Sequence, residues 1–128
     1  MIAVVAIPAS ASAKSEFHFF GQGVSFTVTD RGFSVVDVLY VGNHSSHAEH
    51  AIGLARLSCV FTSQDRSLCN GKIELPDGTL LANHVFVSNG EITTVEINGG
   101  TGAYAGASGF ARTVSVTDST SDFTVVLR

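Results

Sequence analysis

Residues 98–110 constrain the fold of this chain more than any other segment. They contain five glycines in thirteen residues and lie between two strand-like runs, Ile92–Ile97 and residues 110–117. Glycine at this density marks backbone that bends sharply or lies against another segment with no room for a Cβ atom. Because Tyr104 and Phe110 supply aromatic anchors, which Gly/Ser linkers lack, the segment is predicted to form a tight structural corner.

The rest of the chain consists of short strand-like runs separated by turn signals. Residues 24–29 alternate apolar and hydroxyl side chains, a period of two that is typical of a half-buried strand. Asp-Arg-Gly at 30–32 and Pro-Asp-Gly at 76–78 are turn sequences, and Asn-Gly at 89–90 favours a two-residue hairpin turn. About eight or nine such runs without a helical period predict an all-β, antiparallel fold.

Length and charge exclude several classes of protein. The 128 residues fit one domain, and only 14% of them are charged, with a net charge of −4 and scattered basic residues. A nucleic-acid partner is therefore not expected. No run after the N-terminal segment approaches the roughly 20 apolar residues that span a bilayer, so no membrane partner is expected either.

Residues 1–13 are interpreted as the remnant of a secretory signal peptide. An apolar run at 2–7 and Pro8 precede Ala-Ser-Ala at 11–13, which has the pattern of a cleavage site before Lys14. The apolar run is short and no basic residue precedes it, so an ordinary N-terminal strand is the alternative. The signal interpretation predicts a secreted, extracellular protein.

The two cysteines favour the same compartment. Cys59 ends one apolar run and Cys69 begins the next, with a polar segment between them, as a disulfide across a hairpin requires. Closing so short a loop would stabilise by about 2 to 3 kcal/mol in oxidising surroundings. The alternative is a pair of buried free thiols in a cytosolic protein.

The glycine-rich corner also carries a family resemblance. The residues GGTGAY at 99–104, followed by ASGF at 107–110, resemble the GGTG-x-F/Y-x-x-A-R-G-F/Y signature of dirigent proteins and their relatives in the allene oxide cyclase barrel superfamily. Weaker similarity at 68–72 and 51–55 extends the resemblance over residues 23–128. Ser108 stands where most members have arginine, so any role of that arginine is absent here.

The resemblance implies an eight-stranded barrel, which periodicity alone does not separate from a sandwich. A barrel removes exposed strand edges, and eight strands leave room for packed side chains or one small ligand. Residues 14–128 are therefore predicted to form a single domain, an eight-stranded antiparallel up-and-down β-barrel. The run 33–41 is apolar on both faces, which predicts one face in the interior and the other against a second subunit, as in a homo-oligomer.

Two charged residues interrupt apolar rows and are the candidate catalytic residues. Asp37 lies in the row of Val35 and Leu39, and Arg112 lies in the row of Phe110 and Val114. Burying an unpaired polar group costs about 1 to 3 kcal/mol, so a charged residue in such a row is expected to have a partner or a function. If both rows face the lumen, the two side chains form a charge pair or two polar walls of one pocket. Rows that face solvent or a subunit are the alternative.

Four further residues are candidates for ligand binding. Asn83 and His84 interrupt apolar rows on opposite faces of one strand, so at most one of them can point inward. Tyr104 offers a hydroxyl, although an aromatic residue at such a corner more often seals a barrel end. Asp30 lies near the position of an acidic residue considered functional in dirigent proteins, although Asp-Arg-Gly is also ordinary turn chemistry.

No metal or cofactor is predicted. His44, His47 and His50, with Glu49, are spaced for neither one helix face nor one strand face, so a solvated loop is favoured over a metal site. The Gly-Thr-Gly of the corner opens no predicted helix, and there is neither a phosphate-binding loop nor a nucleophile elbow.

These patterns lead to one main functional hypothesis and two alternatives. The main hypothesis, which the resemblance implies, is a secreted barrel that binds a small, apolar, reactive molecule and steers its cyclisation or coupling stereochemistry without a cofactor. Holding a near-attack geometry contributes to catalysis without elaborate acid–base groups. The alternatives are a non-catalytic barrel for a hydrophobic small molecule and a structural barrel with a filled lumen.

Overall fold

A computed structural model describes residues 15–88 and 90–128; the predicted signal remnant, residues 1–13, and Asn89 of the predicted hairpin turn lie outside the described residues. The described residues form nine β-strands and no helix, which confirms the all-β prediction. None of them forms a helix that is long and apolar enough to cross a membrane. The strands are β1 (Ser15–Val28), β2 (Gly32–Val41), β3 (Gly53–Phe61), β4 (Arg66–Leu75), β5 (Gly78–Ser88), β6 (Ile92–Ile97), β7 (Gly99–Gly102), β8 (Gly109–Ser115) and β9 (Thr120–Leu127).

All nine strands belong to one antiparallel sheet that curls into a nearly closed barrel. Its order is β6-β8-β9-β1-β2-β3-β4-β5-β7. Strands β1 to β5 lie in chain order, β8 and β9 are also neighbours, and the last strand, β9, pairs with the first, β1. β6 pairs with β8 at one end of the sheet, and β7 pairs with β5 at the other. The segment 92–102 therefore connects the two ends of the sheet. Its first half, β6, pairs with β8 and its second half, β7, pairs with β5, so the two halves together occupy one strand position of the barrel.

The predicted number of eight strands is corrected to nine. The difference arises within the glycine-rich corner, where Gly99–Gly102 pairs with β5 and forms a strand of its own. Close approach explains the glycines there, because a Cβ atom built on Gly100 would lie 2.1 Å from the backbone oxygen of Tyr104. Counted by position around the barrel, with β6 and β7 taken together, the sheet has eight places.

Asn98, which directly follows β6, forms hydrogen bonds to β5 across the gap between these two strands, which we call the seam. These strands follow each other in the chain, but no backbone ladder joins them within residues 15–88 and 90–128. The backbone N–H of Asn98 donates to the carbonyl of Leu81 at 3.0 Å, and its side chain forms two hydrogen bonds of 2.8 Å with the backbone of Asn83. The hairpin pairing predicted from Asn-Gly is therefore corrected: one side chain replaces part of the ladder.

Two clusters of buried side chains occupy the interior. The larger cluster joins the corner to the ends of β1, β2 and β9 through Tyr104, Phe19, Leu39 and Leu127. The smaller cluster surrounds the cysteines between β3 and β4, with valines from β5 and β6. The predicted disulfide between Cys59 and Cys69 is confirmed, and both residues are buried. Buried side chains thus fill the barrel at the end that carries the glycine-rich corner, and the disulfide links β3 to β4.

Candidate functional site

The barrel contains a cavity of about 590 Å³. The larger cluster closes the end that carries the corner, whereas Phe26, Ser88 and Ser119 line the cavity at the opposite end and are exposed, so this end is the mouth. The volume falls within the range of pockets that take small molecules. The lumen is therefore not filled, contrary to the structural alternative considered above.

The cavity walls are mainly apolar because alternate residues of each strand point inward. Inward-facing side chains that form these walls include Val35, Leu57, Ile73, Leu80, Ile97 and Phe123. Polar residues are a minority of the lining, and several of them, including Ser88 and Ser119, lie at the mouth. An apolar pocket with a small number of placed polar groups is the usual form of a small-molecule site.

Asp37 is the acidic residue set deepest in these walls. It lies midway along β2, paired with Gly23 of β1 and Ala55 of β3. A Cβ atom built on Gly21 would lie 2.9 Å from Oδ2 of Asp37 and 2.4 Å from Cε1 of Phe123. Glycine on β1 therefore leaves the space that the carboxyl group and the aromatic ring share. Val35 and Asp37 line the cavity and Leu39 of the same row is fully buried, so this row faces the interior.

The Asp37 carboxyl group has no protein partner in the described part of the chain. Neither a hydrogen bond nor an ion pair connects it to residues 15–88 or 90–128. Burial raises the pKa of Asp37 above its ordinary value of 3.8, since apolar surroundings disfavour the charged form. Such a group donates a hydrogen bond when protonated and accepts one when ionised, so it is suited to exchange a proton with a bound molecule.

Comparison with known proteins identifies the architecture. No family model matches the sequence, and no curated protein sequence matches it significantly. Among solved structures, the pterocarpan synthase dirigent protein GePTS1 is 19% identical with a TM-score of 0.67, over 99% of this chain and 94% of that one. The fold is that of a dirigent-like barrel. The pterocarpan synthase dirigent protein PsPTS1 is 15% identical with a TM-score of 0.60, over 91% and 95% of the two chains.

A third similar structure is that of a protein named for a different reaction. "Pyocyanin demethylase" is 18% identical to this dirigent-like barrel with a TM-score of 0.66, over 89% of this chain and all of that one. At these identities the likeness establishes the fold alone. The barrel expected from the GGTG resemblance is therefore confirmed, and the site must be argued from its own residues.

Tyr104 lies at the closed end of the dirigent-like barrel and does not line the cavity. Its buried ring meets Phe17 edge-to-face, with centroids 6.4 Å apart. Burial, and then a hydrogen bond to the carboxylate of Asp77, raise the pKa of Tyr104 to about 12. The residue anchors the corner, as the alternative interpretation of this aromatic proposed.

Arg112 lies on the outer face and is not brought together with Asp37. It is exposed, and its cross-strand neighbours are Thr94 of β6 and Thr124 of β9. The inward residues of β8 are instead Ala111 and Thr113, which line the cavity. The expected lumenal row is corrected because the alternation of β8 places the odd-numbered residues inside, a choice that the sequence pattern leaves open.

Asn83 and His84 both face outward, so neither of these candidate ligand-binding residues lines the cavity. A β-bulge in β5 places both residues opposite the single residue Asn70 of β4. His84 has a φ of 58° and donates its backbone N–H to Oδ1 of Asn70 at 2.9 Å. Because the bulge inserts one residue, Ala82 and Val85 both point inward and the strict alternation is broken.

Asp30 and the histidine loop lie outside the cavity. Asp30 is exposed in the turn between β1 and β2. The backbone N–H and Nδ1 of His44 donate to the two carboxylate oxygens of Asp122, and His47 stacks on Phe20 with ring centroids 4.4 Å apart. These contacts hold the β2–β3 loop against the outer face of the barrel. No cluster of three or more metal-ligating side chains occurs among the described residues.

Several residues of the site were missed by sequence reasoning. Thr113, Ser115 and Ser121 line the cavity near the mouth, and nothing in the sequence distinguishes them from exposed hydroxyl residues of a strand. Gly21 and Gly23 did carry a signal, because two glycines at i and i+2 inside a strand indicate close approach on one face. That face proved to be the one occupied by Asp37.

Proposed function

We propose that this dirigent-like barrel binds a small, mainly apolar molecule in its cavity and directs the ring closure or coupling of that molecule without a resident cofactor. The observation that carries the proposal is the Asp37 carboxyl group, which lies in an apolar wall without a protein partner and with a raised pKa. An unpaired carboxyl group in such a place costs stability, and a bound ligand would supply the missing partner.

Asp37 would act as the proton-exchanging group. A reactive molecule with a carbonyl or hydroxyl oxygen against Asp37 gains or loses a proton there as its electrons rearrange. A carboxyl group with a raised pKa is better matched to this task near neutral pH than an exposed one. The other inward side chains hold the molecule in a single conformation.

Restriction of the ligand to one conformation would account for most of the rate acceleration and would determine the stereochemistry of the product. A cavity of about 590 Å³ with rigid strand-borne walls limits the poses of a ligand that fills it. The names of the similar structures, two pterocarpan synthases and a pyocyanin demethylase, describe small-molecule chemistry on this fold. They support a small-molecule site and leave the reaction open.

The protein is proposed to act in an oxidising, extracellular compartment. The disulfide between Cys59 and Cys69 supports this location, because glutathione and thioredoxin keep cytosolic thiols reduced.

The test begins with the molecule that the protein retains. Protein purified under non-reducing conditions is extracted, and the extract is identified by mass spectrometry. The identified compound or its reactive precursor is then incubated with the protein, and the products are separated by chiral chromatography. Asp37→Asn is expected to keep ligand affinity within about threefold and to slow turnover about 100-fold. The matched control, Asp30→Asn, changes an exposed turn residue and is expected to behave as the parent.

Two results would contradict the proposal. Recovery of the precursor unchanged, or product stereochemistry equal to that formed in buffer, would leave a non-catalytic binding barrel. Full turnover by Asp37→Asn would remove the role assigned to that carboxyl group.

A further inference from the structure

Three hydroxyl residues of β8 and β9 line one wall of the cavity, which we call the hydroxyl wall: Thr113 and Ser121, which are half-buried, and Ser115, which is exposed at the mouth. Ser115 of β8 lies directly opposite Ser121 of β9, and Thr113 precedes Ser115 by two residues on the same face. All three line the cavity. Within the described chain these three hydroxyls have no hydrogen-bond partner, whereas the cavity-lining Thr93 donates to the carbonyl of Gly90.

The wall across the cavity from these hydroxyls is apolar. In a barrel with eight places, β8 and β9 lie four places from β3 and β4, so their inward residues face each other. The inward residues of β3 and β4 that line the cavity are Ala55, Leu57, Gly71 and Ile73. The cavity is therefore two-sided, with hydrogen-bonding capacity along one wall and hydrocarbon along the other.

The charges around the cavity disfavour an anionic ligand. Asp37 and Asp118 both line it. The basic lining residues Arg56 and Lys72 point their charged ends to Glu74, at 3.2 and 3.5 Å, on the outer face. A ligand carboxylate would lose its hydration in the cavity, and none of the described lining residues offers a free cation to replace it.

We infer that the ligand is a non-anionic amphiphile, with an apolar face that packs on β3 and β4 and hydrogen-bonding atoms along the edge that faces the hydroxyl wall. This inference rests on the proposed ligand-binding function and specifies the class of molecule that the cavity selects. Each hydroxyl can donate or accept a hydrogen bond, so the hydroxyl wall selects ligands by the position of their polar atoms more than by whether those atoms are donors or acceptors.

Three naphthalenes of similar size test this selectivity: 2-naphthol, 2-methylnaphthalene and 2-naphthoate. The chain has no tryptophan, so naphthalene fluorescence reports binding with little protein background. The parent protein is expected to bind 2-naphthol about threefold to tenfold more tightly than 2-methylnaphthalene, the effect of one net hydrogen bond. Binding of 2-naphthoate is expected to be weaker than that of 2-methylnaphthalene.

A triple variant assigns the preference to the hydroxyl wall. Thr113→Val, Ser115→Ala and Ser121→Ala together remove the hydroxyls and keep the apolar volume, and are expected to equalise the affinities for 2-naphthol and 2-methylnaphthalene. The control, Thr94→Val, removes an exposed hydroxyl on the outer face of β6 and is expected to retain the preference. Unchanged binding of 2-methylnaphthalene by the triple variant verifies that the cavity is intact.

The outcomes separate this inference from the proposed function. Equal binding of 2-naphthol and 2-methylnaphthalene by the parent, or a preference that survives the triple variant, overturns the hydroxyl wall and leaves the binding cavity in place. Tight binding of 2-naphthoate overturns the exclusion of anions. Failure of all three probes to bind overturns both this inference and ligand binding in the cavity. A cavity that binds these probes but does not control product stereochemistry is detected separately, by the turnover and chiral analysis described for Asp37→Asn.

Discussion

The side chain of Asn98 forms a pair of hydrogen bonds with the backbone of Asn83, accepting from its N–H and donating to its carbonyl, each at 2.8 Å. A neighbouring strand would offer the same donor and acceptor to Asn83. One amide side chain thus substitutes for backbone pairing at the seam between β5 and β6, just before the chain crosses from β6 to β7.

Replacement of Asn98 by alanine is expected to lower the free energy of unfolding by about 1 to 2 kcal/mol, because two hydrogen bonds are lost at a site that water reaches. Chemical denaturation measures the change. Asn83→Ala is the matched control: it keeps the backbone groups that Asn98 binds, so a change below about 0.5 kcal/mol is expected. Equal losses in the two variants would contradict the bridging role.

Asp37→Asn is expected to stabilise the protein at pH 7 by about 1 kcal/mol, because it removes an unpaired carboxylate from the cavity wall. The pKa of Asp37 is raised in the folded state. The stability that its protonated form contributes is therefore fully present below the ordinary pKa of 3.8 and is lost as the pH rises through the folded pKa. The gain in the variant should therefore disappear in acid. Denaturation curves between pH 3 and 7 measure it, with Asp30→Asn as control; a gain independent of pH would contradict the assignment to charge.

Tyr104 is expected to produce an alkaline loss of stability. Its folded pKa of about 12 lies above the ordinary value of 10.0, so the folded state holds this proton more tightly than the unfolded chain does. The resulting stabilisation is complete below pH 10 and is lost between pH 10 and about 12. Tyr104→Phe should show a smaller decline in this window, whereas Tyr40→Phe on the outer face should decline like the parent. Parallel curves for all three proteins would argue against a raised pKa of Tyr104 in the folded state.

Loss of the disulfide between Cys59 and Cys69 is expected to lower the free energy of unfolding by about 2 to 3 kcal/mol, because the unfolded chain is no longer closed into a short loop. The double variant Cys59→Ala, Cys69→Ala is compared with the parent in chemical denaturation. A reducing agent should lower the stability of the parent and leave that of the double variant unchanged. A response of the double variant to the reducing agent would mean that the effect does not arise from this bond.

The sequence by itself determined the kind of structure. Alternation in residues 24–29, the turn signals and the absence of a helical period are local properties, and they were sufficient for an all-β antiparallel chain. The corner at 98–110 was also local, since clustered glycines permit close backbone approach wherever they lie. The pairing of Cys59 with Cys69 followed from their positions at the ends of adjacent runs.

Only the tertiary structure decided which residues share the cavity. Alternation specifies that Asp37 and Arg112 each lie in a row, but not which face of the strand is inside, and barrel closure placed the first row within and the second outside. The bulge at Asn83 and His84 moved both outward because one extra residue shifts the phase of a period-two pattern. The hydroxyl wall and the seam at Asn98 depend on strands brought together around the barrel. Contacts between residues distant in the chain are fixed by closure of the whole sheet, which no local pattern encodes.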